Sequence, residues 1–167
     1  MLYSFTGLAD GGLPWAGVIR DSGGNLYGTT RSGGASGDGV VYEVNTASQE
    51  IVLYSFPAYS FASGVISDPA GNLYGTTSNG GGPSNAGSVF KVDPSGQETL
   101  LYGFPAPPGG SDPAPSLTRD SAGNLYGATS GGGTANAGVV YELDATNNEK
   151  VLYTFTGGAD GGAPVPV

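Results

Sequence analysis

Two short motifs recur in fixed order along the whole chain. Asn-Leu-Tyr-Gly occupies residues 25–28, 72–75 and 124–127, and Leu-Tyr-x-Phe occupies 2–5, 53–56, 101–104 and 152–155. The tyrosines of the second motif, Tyr3, Tyr54, Tyr102 and Tyr153, lie 51, 48 and 51 residues apart. Self-similarity at such a period means that one supersecondary unit is reused, each copy burying its faces against its neighbours. The repeats read as 1–56, 57–104 and 105–155, with Leu2 to Phe5 as a surplus strand and 156–167 as the start of a fourth repeat. The register shortens once, where Pro57-Ala58-Tyr59-Ser60-Phe61-Ala62-Ser63 replaces a longer Thr-Gly-x-Ala-Asp-Gly-Gly connection.

Each unit divides into four short strands, seen in the first repeat as 16–20, 26–30, 40–44 and 51–56. Aromatic and β-branched residues fill the strands, while Gly, Asn, Asp and Ser fill turns where positive φ is needed. No segment keeps a helical period for more than about a turn. The third strand carries apolar groups on both faces: Tyr42 and Val44 align with Phe90 and Val92 and with Tyr141 and Leu143, while Val41, Val89 and Val140 point the other way. A sheet held between two similar sheets has this pattern, whereas a sheet with one wet face alternates more cleanly. The expected fold is therefore all-β, with three tandem four-stranded antiparallel repeats resembling β-propeller blades. The first strand would lie nearest the axis and the Leu-Tyr-x-Phe strand outermost. A β-trefoil has the same strand count and is the alternative. Against it stands the tail from Thr156 to Pro164, which restates Thr6 to Pro14 beyond the third repeat.

Composition narrows the chemistry. The chain has no Cys and no His, which removes thiol nucleophiles, Ser-His-Asp triads, disulfides and the usual zinc ligands. Its basic residues are Arg20, Arg31, Lys91, Arg119 and Lys150 against 14 carboxylates, a net charge of −9. Such a surface repels phosphate, so neither nucleic acid nor an anionic membrane surface is an expected partner. Glycine, at 32 of 167 residues, would suggest disorder if ten Tyr and six Phe did not supply apolar area to bury. No apolar run reaches the roughly 18 residues of a membrane span. No basic-then-apolar segment precedes the first motif, so any export signal is expected outside this chain.

The pattern Leu-Tyr-Ser-Phe-Thr-Gly-x-Ala-Asp-Gly-Gly-x-Pro, followed by Asp-Ser-x-Gly-Asn-Leu-Tyr-Gly-Thr-Thr and Gly-Val-Val-Tyr-Glu-Val, resembles the GloVer tandem repeat. The resemblance covers essentially the whole chain. It implies blades similar to those of β-propellers, in large bacterial proteins that are secreted or anchored at the cell surface. It brings no catalytic residues. Extracellular placement is thus an expectation of the resemblance alone.

Several residues invite a sharper reading. The turns at Asp21, Asp68 and Asp120 could suggest calcium, but each has one carboxylate where a hard cation wants six to eight oxygens. An Asp bonding its own hairpin explains the same residues, and no metal or cofactor is expected. The Ala-Asp-Gly-Gly segments around Asp10 and Asp160 read the same way. Glu43 and Glu142 recur where Lys91 also stands, which marks a solvated position rather than half of an acid pair. No enzymatic activity is expected. Tyr27, Tyr74 and Tyr126 read as core between sheets, with sugar stacking as the alternative. Trp15, the single tryptophan, is either a local plug or an exposed contact.

In an up-and-down sheet the short turns share one rim, and the long Gly-rich and Pro-rich loops share the other. Elaborated loops are where binding usually lives. Trp15, Arg31, Asn85 and Asn136 are the candidate ligand contacts there, with glycan as the ligand class. Three blades also leave two open faces rich in Tyr, Val and Leu, so self-association, into a homo-oligomer or a filament, is the expected partnership.

Overall fold

The computed structural model describes residues 1–57, 60–105 and 108–164, and every regular element in them is a strand. The first sheet runs β1 (Ile19–Arg20), β2 (Leu26–Thr29), β3 (Val40–Val44), β4 (Glu50–Ser55) in spatial order. The second runs β5 (Ala62–Ser67), β6 (Leu73–Thr77), β7 (Ser88–Val92), β8 (Glu98–Gly103). In the third, β9 (Gly110–Pro113) pairs with the far end of a long strand that belongs to the path β10 (Thr118–Arg119), β11 (Leu125–Gly132), β12 (Val139–Leu143), β13 (Glu149–Thr154). All pairings between strands are antiparallel. Three separate up-and-down sheets stacked in chain order match the propeller-type expectation rather than the trefoil. The inner strand is shorter than 16–20 suggested, and β9 was not foreseen. Part of the shortened connection, Ala58 and Tyr59, lies outside the described residues.

The first hairpin turn is made the same way each time. Asn25 donates its backbone N–H to Asp21 Oδ1 at 2.8 Å and its side-chain Nδ2 to Oδ2 at 2.9 Å, and the Tyr27 hydroxyl adds 3.1 Å to that same oxygen. Asp68 holds Asn72 and Tyr74, and Asp120 holds Asn124 and Tyr126, in the same pattern. Gly24, Gly71 and Gly123 sit in these turns at φ +95, +84 and +97, a conformation that costs glycine nothing. The recurring Asp is thus engaged by its own hairpin, as the turn reading expected. At the other short turn, Asn45, Asp93 and Asp144 accept backbone N–H groups two and four residues on.

The outer strand hides a device that alternation alone would miss. Its pairing slips by one residue at Val41/Tyr42, Val89/Phe90 and Val140/Tyr141. Leu53, Leu101 and Leu152, the leucines of Leu-Tyr-x-Phe, are the extra residues. Regular pleating would send Leu53 and Tyr54 to opposite faces. The bulge bends the strand so that both pack on the cluster between the first and second sheets. Leu101 and Tyr102 do the same between the second and third.

Sheet meets sheet through one repeated contact. A Cβ on Gly28 would fall 2.5 Å from the Tyr42 hydroxyl, on Gly75 2.6 Å from Phe90 Cζ, and on Gly127 2.5 Å from the Tyr141 hydroxyl. Only glycine lets the aromatic of the third strand lie across the second. The phenylalanine ending the preceding Leu-Tyr-x-Phe then meets that ring edge-on: Phe56 on Phe90 at 5.1 Å and 73°, Phe104 on Tyr141 at 5.0 Å and 72°. Pairs of this geometry add about 0.5–1.5 kcal/mol to the area they bury. Around them Ile19, Tyr27 and Val41 face Val65, Leu73 and Val92 at one contact. Ile66, Tyr74 and Val89 face Leu117, Leu125 and Leu143 at the next. Thr29 donates to the Ser63 carbonyl at 2.9 Å and Thr76 to the Ala114 carbonyl at 3.1 Å, tying strand two of the first and second sheets to the segment ahead of the next sheet's second strand.

Three substitutions test these contacts. The Tyr141 hydroxyl is buried, finds no hydrogen-bond partner among the described residues, and is absent from its counterpart Phe90. Tyr141→Phe should therefore be neutral or raise unfolding stability by up to about 1 kcal/mol, because it removes an orphaned polar group; a loss above that in urea melts would mean the hydroxyl has a partner in solution. Tyr74, half-buried between sheets with Arg119 5.6 Å above its ring, should cost about 2–4 kcal/mol as Tyr74→Ala. Tyr126→Ala, at the same place in a sheet on which no further sheet packs among the described residues, should cost under about 1 kcal/mol. Equal costs would show that the two environments are alike.

Candidate functional site

The two ends of the stack expose apolar side chains, and they are unequal. At the third sheet no further sheet packs, among the described residues, on the face that meets a neighbour elsewhere. Leu152 and Tyr153 are 46% and 47% exposed, whereas Leu53, Tyr54, Leu101 and Tyr102 are half-buried. Val140 is half-buried where Val41 and Val89 are sealed. Tyr126 belongs to this open face, which corrects the expectation that all three repeated tyrosines lie between sheets. The face is also slightly altered: Thr118 stands where Ile19 and Ile66 stand, and Ala128 where Thr29 and Thr76 make their inter-sheet bonds.

The first sheet's opposite face is half covered. Tyr3 and Phe5 pack on Val40, Tyr42 and Val44, with Phe5 edge-on to Tyr42 at 4.8 Å and 64°. The contact copies the two internal ones. Toward the inner edge the cover stops: Val18 is 52% exposed, while its counterparts Val65 and Leu117 are buried. Arg20 is exposed too, whereas Arg119, at the same position in the third sheet, lies over Tyr74 of the second.

The N-terminal cover has a twin. The Tyr3 hydroxyl donates to Asp10 at 2.9 Å, and Thr6 donates its N–H and hydroxyl to that carboxylate. Tyr153 and Thr156 do the same to Asp160. The Thr6 hydroxyl and N–H hold the Asp10 carboxyl down to about 2, and Thr156 holds Asp160 down to about 2 in the same way. Both aspartates are thus turn clamps.

A second feature lies where the inner strands converge. A groove of about 440 Å³ is lined by residues 15–19, 64–66 and 115–117, contributed by all three repeats. Trp15 stands at its margin, 71% exposed, with the Arg31 guanidinium 5.0 Å above its ring. The Arg31 N–H donates to the Leu13 carbonyl, which fixes the loop after β2 beside the segment that carries Trp15. Two of the four candidate contacts are therefore brought together. The other two are placed differently. Asn85 and Asn136 both have φ +51, and their Oδ1 atoms accept the Gly80 and Gly132 N–H groups of their own loops. Gly37 holds the corresponding place in the first loop at φ +88, so the position selects for left-handed backbone.

The remaining carboxylates are dispersed. Glu50, Glu98 and Glu149 open the outer strand of successive sheets, one per sheet, and burial pushes each carboxyl up from its usual value. Among the described residues no group of three His, Cys, Asp or Glu side chains could hold a metal ion.

Comparison with known proteins bears on fold and family. Comparison with curated proteins finds no match. Among solved structures, a streptogramin B lyase superposes with a TM-score of 0.57 at 15% identity, over 83% of this chain and 40% of that one. Virginiamycin B lyase from Staphylococcus aureus gives 0.57 at 13% identity, over 87% of this chain and 42% of that one. The chain spans less than half the length of these structures, and at such identity the likeness concerns a propeller-like fold. A family model matches residues 1–166, and the chain belongs to the Gloeobacter/Verrucomicrobia repeat family.

Proposed function

We propose that this chain is a structural repeat module, secreted or displayed at the cell surface, whose work is to join with further sheets of its own kind in an architectural or adhesive array. The observation that carries this reading is the recurrence of one residue set in three settings. Val, Tyr, Leu and Tyr pack on a neighbouring sheet at the first two faces, while at the third Leu152 and Tyr153 are exposed and Val140 is only half-buried. A face bearing Tyr126, Val140, Leu152 and Tyr153 is of the kind that soluble monomers rarely leave uncovered. The contact it lacks is defined by the two contacts the chain already makes. Extracellular placement is an expectation of the GloVer resemblance and belongs to the proposal. No catalytic role is part of it: seven aspartates are engaged in turns, Glu43 and Glu142 share a strand position with Lys91, and the lyase activities named for the superposed structures remain those of proteins that share only the fold. Light scattering over a dilution series should show mass rising with concentration above that of one 16.5 kDa chain. A single-chain mass throughout, with a cooperative melt, would oppose the array.

A second reading rests on Trp15. An exposed indole pinned by a guanidinium beside a three-repeat groove is a surface on which a sugar face can stack. A glycan array should then show binding that Trp15→Ala abolishes, with the bound glycans recovered intact. No binding by the native chain removes this reading, and cleaved glycans would contradict the non-catalytic one.

A further inference from the structure

Residues 152–162 read Leu-Tyr-Thr-Phe-Thr-Gly-Gly-Ala-Asp-Gly-Gly, and residues 2–12 read Leu-Tyr-Ser-Phe-Thr-Gly-Leu-Ala-Asp-Gly-Gly. The two segments also adopt one conformation. Tyr3 and Phe5 meet at 5.1 Å and 79°, Tyr153 and Phe155 at 5.1 Å and 80°. The Gly7 N–H donates to Gly11 at 2.9 Å, and the Gly157 N–H to Gly161 at 3.0 Å. Each closes on its Asp through the same Tyr and Thr donors. They differ in what they touch. Phe5 sits on Tyr42, while Phe155, set by its own Tyr in the same edge-on geometry, has no aromatic of a following sheet beyond it among the described residues.

We propose that chains associate head to tail by segment exchange: residues 152–162 of one copy displace residues 2–12 from the first sheet of a second copy, and the third sheet then stacks on that first sheet. The inference rests on the array reading above and names its mechanism. Phe155 takes the place of Phe5 on Tyr42, as Phe56 stands on Phe90 and Phe104 on Tyr141. Leu152, Tyr153, Val140 and Tyr126 are covered by Leu26, Val44 and Val18, the counterparts of the residues that cover their equivalents within the chain. Arg20 reaches Tyr126 as Arg119 reaches Tyr74. A cover that leaves Val18 and Arg20 exposed is an incomplete substitute for a neighbouring sheet, so the exchange adds contact rather than merely trading it. Thr118 and Ala128 remove one apolar group and one hydrogen bond from the new contact. It is therefore weaker than its internal models and reversible. A contact that uses one surface of one copy and a different surface of the next is heterologous: it closes into a ring where the rotation between copies closes and otherwise propagates.

The resident segment acts as a competitive cap, which makes the two phenylalanines opposite in effect. Phe155→Ala, at an exposed end, should raise the concentration for half-association about tenfold, and Phe5→Ala, which loosens the cap, should lower it by a similar factor. A labelled peptide of residues 150–162 should bind the Phe5→Ala chain more tightly than the native one and lower its scattering mass by capping ends. Should Phe5→Ala melt too readily to use, peptide binding to the native chain and the Phe155→Ala shift decide the matter. Association unchanged by Phe155→Ala, with no peptide binding, overturns the exchange while leaving the array intact. A chain that stays single at every concentration, as native and as Phe5→Ala, overturns the array itself.

Discussion

An aromatic ring lying over a glycine sets the geometry on which the rest of this protein depends. Tyr42, Phe90 and Tyr141 reach across Gly28, Gly75 and Gly127 because no side chain stands there. That places each ring where the preceding Leu-Tyr-x-Phe can meet it edge-on. The closeness of the glycine fixes the ring's rotamer, and the fixed ring gives the incoming phenylalanine one place to sit. Any larger residue at the glycine would lift the ring and separate sheets whose buried faces have no other partner. Stability is consequently assembled contact by contact along the chain, as in other repeat proteins, rather than drawn from one central core.

The glycine count has a second origin in the long loops. There the chain doubles back between strands two and three, and positions such as Gly37, Asn85 and Asn136 require a left-handed backbone. The repeated Asp turns add polar clamps at the opposite rim. Together they leave the tyrosine hydroxyls of Tyr27, Tyr74 and Tyr126 bonded without burying a free polar group. The ring can thus contribute apolar area while its tip stays satisfied at the rim.

The four-strand path of each sheet, the sheet order and the apolar character of both faces of Val40–Val44 were legible in the sequence, because spacing and alternation report them directly, whereas the extra strand β9 was not. The Asp turns were legible because Asp, Gly and Asn have few other uses at that spacing. The bulge was not. Leu53 and Tyr54 are neighbours, and a pattern of period two assigns them to opposite faces unless the extra residue is recognised. The signal was present in the adjacency of two large apolar residues in every copy. The partial burial of the repeated tyrosines was also out of reach, since it depends on which sheet follows. Tyr126 and Tyr74 have the same local sequence and different surroundings. Trp15 and Arg31 are 16 positions apart in a non-repeated part of the first unit. Only the pairing of the loop after β2 with the segment around Leu13 brings them together. Asn85 and Asn136 recur in long loops at a position of left-handed backbone, a local cause of the recurrence that spacing alone does not reveal.

The bulge in the outer strand also limits how such molecules can go wrong. A sheet can add material along its edges as well as across its faces, and edge addition is the route to indiscriminate aggregation. Here the outer edge is kinked at Leu53, Leu101 and Leu152, which interrupts the row of free backbone groups a foreign strand would need. The inner edges of the first and third sheets are two residues long, Ile19–Arg20 and Thr118–Arg119, too short to template a partner. Lateral growth is blunted on these sides, so a Tyr-rich, Val-rich chain offers a foreign strand few long, regular edges on which to pair.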